Sequence, residues 1–111
     1  LLIEKGADVN VKNVYGQTPL HECYDRDDIV KLLIEHNADL DLKNIYGNTP
    51  LHIACRRGCL NVVKALIENN THLNIKNNNG ETPLFLACIN GNVDIIKYLI
   101  EKGADVNAKR F

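Results

Sequence analysis

Features common in enzymes, nucleic-acid-binding proteins and membrane proteins are absent from this sequence. It contains no serine, so no serine hydroxyl can act as a nucleophile, and it shows no glycine-rich phosphate loop or paired carboxylates. The formal net charge of −1 gives no bulk attraction to nucleic acid or anionic lipid. No apolar run approaches the roughly 20 residues that cross a bilayer, and Glu4 and Gly6 interrupt the apolar start too early for a signal peptide. We therefore expect neither membrane insertion nor nucleic-acid binding.

The composition is that of one soluble, globular domain. The chain has 111 residues, of which 45% are hydrophobic and 24% are charged. This length suits a single modest core, and this balance differs from that of disordered chains.

A fragment of nine residues occurs twice without change. Residues 2–10 and 99–107 both read LIEKGADVN, and altered copies occupy residues 33–41 and 66–74. A second marker keeps the same spacing, as GQTPLHEC from Gly16, GNTPLHIAC from Gly47 and GETPLFLAC from Gly80. A period near 33 residues indicates stacked units that are too small to bury their own apolar faces. One step is 31 instead of 33, and the two missing residues lie between Cys23 and Ile29.

Each unit predicts two helices and a loop. A threonine before proline marks the start of a first helix, at about residues 50–57 in the middle unit with Gly58 at its end. An apolar stretch at helical spacing follows as the second helix, which Asn61 and Asn92 are predicted to cap. The second helices are predicted to end at residues that accept a left-handed backbone: Gly6, Asn37, Asn70 and Gly103. The predicted fold class is therefore all-α.

Together these motifs resemble the ankyrin repeat. The resemblance rests on the Thr-Pro-Leu-His marker, the glycine turn, the apolar second helix and the Gly-Ala-Asp-Val-Asn loop. It implies one solenoid domain over residues 1–111, built of stacked helix–turn–helix units with protruding loops. Its parts would be the tail of a preceding repeat (1–12), three full repeats (13–43, 44–76 and 77–109) and the start of another (110–111). Departures from the family pattern are Phe85 in place of histidine, Cys23 at a small-residue position, and Thr71-His72 in place of Ala-Asp.

The resemblance implies a protein-interaction module, a scaffold or adaptor, and no enzyme, cofactor or metal. Such a module holds its partner, another protein, against a concave face built from loop tips and first helices. The alternative is a regulatory or targeting segment of a larger enzyme, channel or secreted effector. Because both ends lack a polar capping repeat, we expect a longer parent protein or self-association through the uncapped ends.

Contact positions can be carried over from the family. They are Val14, Tyr15, Gln17 and Arg26 in the first repeat, Ile45, Tyr46, Asn48, Arg56 and Arg57 in the second, and Asn78, Asn79, Glu81, Ile89 and Asn90 in the third. Apolar–aromatic pairs occur in one register at 14–15 and 45–46, so we expect them side by side, with Arg26, Arg56 and Arg57 gathering positive charge next to them. Tyrosine and arginine are frequent binding hot spots. The alternative is ordinary turn chemistry, with the rings lying over adjacent loops.

The cysteines and histidines have competing interpretations. His52, Cys55 and Cys59 could share one face of a continuous helix and form most of a zinc site. The favoured interpretation is structural, because Cys55 and Cys88 occupy equivalent positions that should pack against a neighbouring repeat. Four free thiols predict a reducing compartment, cytoplasmic or otherwise intracellular. His21 and His52 are expected to hydrogen-bond their threonines and the neighbouring turn and not to act as catalytic bases.

Two asparagines are candidate modification sites. Asn10 and Asn107 each follow Asp-Val and a leucine eight residues earlier, which resembles the acceptor pattern of the asparaginyl hydroxylase that modifies ankyrin repeats. The favoured alternative is that their side chains hold the loop by hydrogen bonds to its backbone.

Overall fold

A computed structural model describes residues 9–107 and contains six helices and no strand within that range. The helices are α1 (Pro19–Glu22), α2 (Asp27–Glu35), α3 (Pro50–Arg57), α4 (Leu60–Glu68), α5 (Pro83–Asn90) and α6 (Val93–Glu101). The prediction of an all-α fold is therefore confirmed. Gly6, predicted as a helix end, lies outside the described residues.

The helices form two parallel rows. The first helices, α1, α3 and α5, pack against one another in sequence, and the second helices, α2, α4 and α6, do the same. Each first helix also contacts the second helix of its own unit. The result is an elongated stack of 43 × 25 × 20 Å, in which neighbouring units bury each other's apolar sides.

The Thr-Pro dipeptides start the first helices as predicted. Thr49 has an extended backbone and its hydroxyl accepts the His52 N–H at 3.4 Å, while Pro50 occupies the first helical position. Thr82 accepts the Phe85 N–H at 3.2 Å in the same way. A threonine cap satisfies a backbone donor that the helix leaves free, and proline suits a position that needs no such donor.

The predicted caps of the second helices are half right. Asn92 caps α6, because its side chain accepts the Ile95 N–H at 3.2 Å. The prediction for Asn61 is wrong: Cys59 occupies the cap position, and α4 begins at Leu60. Asn61 lies inside the helix and donates from its side chain to Asp27 Oδ2 at 3.0 Å. Counting 33 residues on from Asn61 gives Asp94 and not Asn92, so the two asparagines are not equivalent.

The ends of the second helices follow the predicted backbone rule. Asn37, Asn70 and Gly103 take positive φ angles of 65°, 69° and 102° directly after the helix caps. After Asn37, the Ala38 N–H returns to the Leu33 carbonyl at 3.0 Å, which is how a left-handed residue closes a helix. Each unit thus turns sharply from its second helix into its loop.

The missing residues shorten the first unit at the predicted place. Helix α1 has four residues, whereas α3 and α5 have eight each. The chain leaves α1 at Cys23 and turns through a hydrogen bond from the Arg26 N–H to the Cys23 carbonyl at 2.9 Å. The row of first helices therefore has a shorter helix at this end.

The core repeats the same positions in each unit. The fully buried side chains include Leu20 and Leu51 from first helices and Leu33, Leu66 and Leu99 from second helices. Cys55 is buried as predicted, but the prediction for Cys88 is wrong, because its side chain is exposed. Helix α3 is followed by α5, whereas the described residues contain no first helix after α5 that would cover Cys88.

Helix α6 exposes part of its apolar surface. Ile95 and Leu99 are fully buried, whereas Val93 and Ile100 lie on the surface. Self-association through such a face stays a prediction.

Candidate functional site

The loop tips are built on one asparagine in each unit. The Asn13, Asn44 and Asn77 side chains each accept two backbone N–H groups, from the second and fourth residues after them, at 2.9–3.0 Å. Such bonds fix a tight turn without help from a helix or strand. The sequence analysis missed these residues, although their spacings of 31 and 33 residues follow the repeat.

Neighbouring tips are hydrogen-bonded to each other through the backbone. The Ile45 N–H donates to the Tyr15 carbonyl at 2.9 Å, and the Asn78 N–H donates to the Tyr46 carbonyl at 3.0 Å. The apolar–aromatic pairs at 14–15 and 45–46 therefore lie in adjacent tips, as predicted. Val14 is 87% exposed, Tyr15 55% and Tyr46 57%, so these side chains are available to another molecule.

Tyr46 borders two clefts. The larger cleft, of about 810 Å³, lies between the second and third units and is lined by Tyr46, Asn48, Arg56, Asn77, Asn79, Glu81, Leu86, Ile89 and Asn90. The smaller, of about 620 Å³, lies between the first and second units and is lined by Asn13, Tyr15, Gln17, Glu22, Tyr24 and Tyr46. Both volumes fall within the range of about 300–1,000 Å³ found for binding sites.

Most of the predicted contact residues line these clefts, but not all of them do. The ones that line neither are Val14, Arg26, Ile45, Arg57 and Asn78. Asn48 lines the larger cleft but is only 7% exposed, because its side chain accepts from Asn77 Nδ2 at 2.9 Å. Asn48 therefore offers little surface to a partner, and its role as a contact residue stays a prediction.

The three arginines have different surroundings, and the positive cluster that the sequence suggested stays a prediction. Arg56 lines the larger cleft. The Arg57 guanidinium lies 5.1 Å from the centroid of the Tyr24 ring, in a cation–π contact. Arg26 occupies the N-cap position of α2 and directly precedes Asp27 and Asp28 in the first turn of that helix. Tyr24 was not among the predicted residues because it lies in the shortened turn, where the repeats do not align.

The repeat geometry agrees with a comparison against protein-family models. The family model described as ankyrin repeats (3 copies) matches residues 1–44 and 26–110. The chain belongs to the ankyrin-repeat family. A comparison with curated proteins found no match.

Family membership fixes the broad role. Ankyrin repeats are generally protein–protein interaction modules, and the family is typically non-catalytic. Within residues 9–107, no helix is both long and apolar enough to cross a membrane.

The histidines of this ankyrin-repeat chain connect each unit to the next. The Thr18 N–H donates to His21 Nδ1 at 3.0 Å, and the opposite ring nitrogen lies 2.9 Å from the Asn48 carbonyl, to which it donates. His52 makes the same pair of contacts, with the Thr49 N–H at 3.0 Å and the Glu81 carbonyl at 2.9 Å. The prediction of a structural role is confirmed for both residues.

These contacts predict how stability depends on pH. Burial lowers the pKa of His21 and His52, so below pH ~6.5 the unfolded chain binds protons that the folded chain does not. Above that pH the free energy of unfolding keeps its full contribution from the two neutral histidines. As the pH decreases below it, the free energy of unfolding falls by up to about 1.4 kcal/mol per pH unit for each histidine. Urea denaturation between pH 7.5 and 5.5 measures this slope.

A His52→Phe variant is the matched control for the pH effect. Phenylalanine occupies the equivalent position 85, so the repeat accepts its ring there. The variant loses two hydrogen bonds and is therefore expected to have a lower free energy of unfolding at neutral pH. The slope of its free energy of unfolding against pH should be smaller than that of the unmodified chain. Equal slopes would show that His52 does not titrate with unfolding.

The surroundings of Cys23, Cys55 and Cys59 disfavour thiol reactivity, and within residues 9–107 no group of three or more metal-ligating side chains could hold a metal ion. Both ring nitrogens of His52 form hydrogen bonds, so neither is available to bind zinc. Gly58 ends α3 before Cys59, so Cys59 does not lie on the same helix as His52 and Cys55. Burial raises the pKa of Cys23 to about 11 and raises those of Cys55 and Cys59 as well. A thiol whose pKa is raised stays protonated and is a poor nucleophile.

The loop asparagines hold neighbouring loops together. Asn10 Oδ1 accepts the Asp39 N–H at 2.8 Å, and Asn74 Oδ1 accepts the Asp105 N–H at 2.9 Å. The loop-holding interpretation is confirmed for Asn10. Hydroxylation of Asn10 and Asn107 stays a prediction, and the Leu2 and Asp8 of its acceptor pattern lie outside the described residues.

Proposed function

We propose that this chain is a scaffold or adaptor module that binds a partner protein on its concave face. The observation that carries this proposal is the row of hydrogen-bonded loop tips, in which Tyr15 and Tyr46 stand more than half exposed beside two clefts. Large exposed aromatic residues next to concave surface are typical of binding hot spots. The proposed contact surface comprises Tyr15, Gln17, Tyr46, Arg56, Asn79, Glu81, Ile89 and Asn90, with Val14 and Ile45 at its edge.

The backbone behind this surface is already ordered before a partner arrives. Asn44 fixes the Tyr46 tip from within, the Tyr46 carbonyl accepts from Asn78 of the next tip, and His52 connects its own helix to the loop beyond. Binding of a partner therefore does not cost the conformational entropy of ordering these loops, and this favours binding to this face.

Arg56 is the charged anchor of the larger cleft. Within the described part of the chain, no carboxylate forms an ion pair with its guanidinium. It shares the cleft with Tyr46 and Ile89, whose side chain is 66% exposed. Because Glu81 lines the same cleft, a partner that complements Arg56 carries an acidic group placed away from Glu81 and next to an apolar or aromatic one.

Substitution of the two anchors tests the proposed surface. Once a partner has been identified, Tyr46→Ala and Arg56→Ala should each weaken its binding about 30-fold, the equivalent of roughly 2 kcal/mol for a hot spot. Lys97→Ala, an exposed residue on the second-helix row, is the control and should leave the affinity unchanged. Isothermal titration calorimetry measures all three, and unchanged binding by both anchor variants would refute the surface.

The remaining assignments rest on the family alone. We propose the repeat boundaries 13–43, 44–76 and 77–109, a reducing intracellular compartment, and, as the alternative function, a regulatory or targeting segment of a larger enzyme, channel or secreted effector.

A further inference from the structure

The smaller cleft has an unusual lining for its size. Three of its six residues are tyrosines, Tyr15, Tyr24 and Tyr46, and the only charged one is Glu22; Asn13 and Gln17 complete it. No lysine, arginine or histidine lines this cleft. We call it the tyrosine cleft.

Tyrosine rings attract cations on their faces, and among residues 9–107 two rings, those of Tyr24 and Tyr98, already have a cation beside them. The Arg57 guanidinium lies 5.1 Å from the centroid of the Tyr24 ring, although Arg57 is not among the residues that line the tyrosine cleft. On the second-helix row, the ammonium groups of Lys64 and Lys102 each lie 5.6 Å from the centroid of Tyr98. Tyr15 and Tyr46, by contrast, keep more than half of their surface open.

Glu22 places a negative charge among these rings. Its Oε1 accepts from Asn13 Nδ2 at 2.9 Å, and Asn13 itself fixes the Tyr15 tip. Among residues 9–107, no lysine or arginine forms an ion pair with Glu22. The carboxylate is thus oriented by a neutral amide and keeps its charge available to a cation.

We propose that the tyrosine cleft binds a cationic side chain, lysine or arginine, that the partner protein presents. Ring faces and a carboxylate together recognise a cation better than either does alone, because the cation–π attraction adds to the Coulomb attraction of the carboxylate. The proposal rests on the concave-face function above and names the chemistry that one part of that face recognises.

The two clefts then read opposite charges on one partner. Arg56 in the larger cleft, which Glu81 also lines, complements an acid; Glu22 in the tyrosine cleft complements a base, and Tyr46 borders both clefts. A partner segment that crosses Tyr46 with a basic residue on the first-unit side and an acidic residue on the other satisfies both clefts. The reverse orientation brings like charges together, which costs binding free energy.

A small-molecule titration tests the tyrosine cleft without any partner. The 111-residue chain, with its tyrosines labelled with carbon-13, is titrated with N-acetyl-trimethyllysine methylamide and observed by NMR. The matched probe is its uncharged isostere, in which carbon replaces the quaternary nitrogen. We expect ring signals of Tyr15, Tyr24 and Tyr46 to shift with the charged probe, which should bind at least about fivefold more tightly than the isostere.

Two variants identify the groups that hold the cation. Glu22→Gln keeps an acceptor for Asn13 but removes the charge, and should weaken the charged probe roughly fivefold. Tyr46→Leu removes a ring that is mostly exposed and should have a similar effect. Glu35→Gln changes the charge equally on α2 and should leave the affinity unchanged.

The outcomes separate this inference from the proposed function. Equal binding of both probes, or a Glu22→Gln variant that binds the charged probe as well as the unmodified chain does, overturns the cation site even if Tyr46 and Arg56 prove essential for a partner. Conversely, selective binding of the charged probe supports the site even if the alanine variants of Tyr46 and Arg56 bind their partner normally and so refute the proposed surface.

Discussion

Replacing Leu51 with alanine is expected to lower the free energy of unfolding by about 2–5 kcal/mol. Leu51 is fully buried in α3, the middle helix of the first-helix row, which packs against α1, α4 and α5. Truncating the side chain removes apolar area from the core and leaves a cavity that three neighbouring helices are too constrained to fill. A domain of this size has a total free energy of unfolding of about 5–15 kcal/mol. The substitution is therefore expected to remove a large share of it.

Urea denaturation followed by circular dichroism measures this loss. Ile89→Ala is the matched control: it removes an apolar side chain from the neighbouring helix α5, but that side chain is mostly exposed, and the change should stay within about 0.5 kcal/mol. A loss below 1 kcal/mol for Leu51→Ala would mean that the core is not packed around α3 as described.

Gly47→Ala should destabilise the chain by a similar amount, about 2–5 kcal/mol, through two separate effects. Gly47 has a φ of +76°, a left-handed conformation that costs alanine about 1–2 kcal/mol. An added Cβ would also lie 2.5 Å from Asn78 Oδ1 and 2.7 Å from the Asn78 backbone nitrogen. The side-chain oxygen can rotate away, but the nitrogen cannot, because its N–H donates to the Tyr46 carbonyl.

Gly91→Ala separates the two effects of the Gly47 substitution. Gly91 has a φ of +71°, but a Cβ there would meet no atom within 4 Å. Gly91→Ala should therefore lower the free energy of unfolding only by the cost of the left-handed backbone, about 1–2 kcal/mol. If both variants lose the same stability in parallel denaturation curves, then the close approach of the second and third tips does not contribute.

Local chemistry made the helices predictable. Thr49 with Pro50 marks a helix start, and Asn37, Asn70 and Gly103 mark helix ends, because each depends only on its own backbone and its nearest neighbours. The prediction that Asn61 caps α4 was wrong because the residue at the cap position is not a typical capping residue. A capping residue was expected after Gly58, and Cys59, which occupies that place, does not resemble a cap in sequence.

What depends on neighbouring units was harder to predict. Cys55 and Cys88 are equivalent in the repeat, yet one is buried and the other exposed, because burial is decided by what packs on top of a residue. The tyrosine cleft was missed for the same reason. Glu22 and Tyr24 belong to the shortened first unit, where no repeat counterpart indicates their positions, and only the folded chain brings them together with Tyr46.

The short helix α1 also bears on where along the repeat stack a partner can bind. If every unit were alike, a partner could dock in several frames, each displaced by one unit, with nearly equal affinity. Helix α1 has four residues, whereas α3 and α5 have eight each, and the two clefts between units differ in volume and in their charged residues. If a partner binds both clefts as we propose, translation by one unit would therefore place its groups against a different set of lining residues.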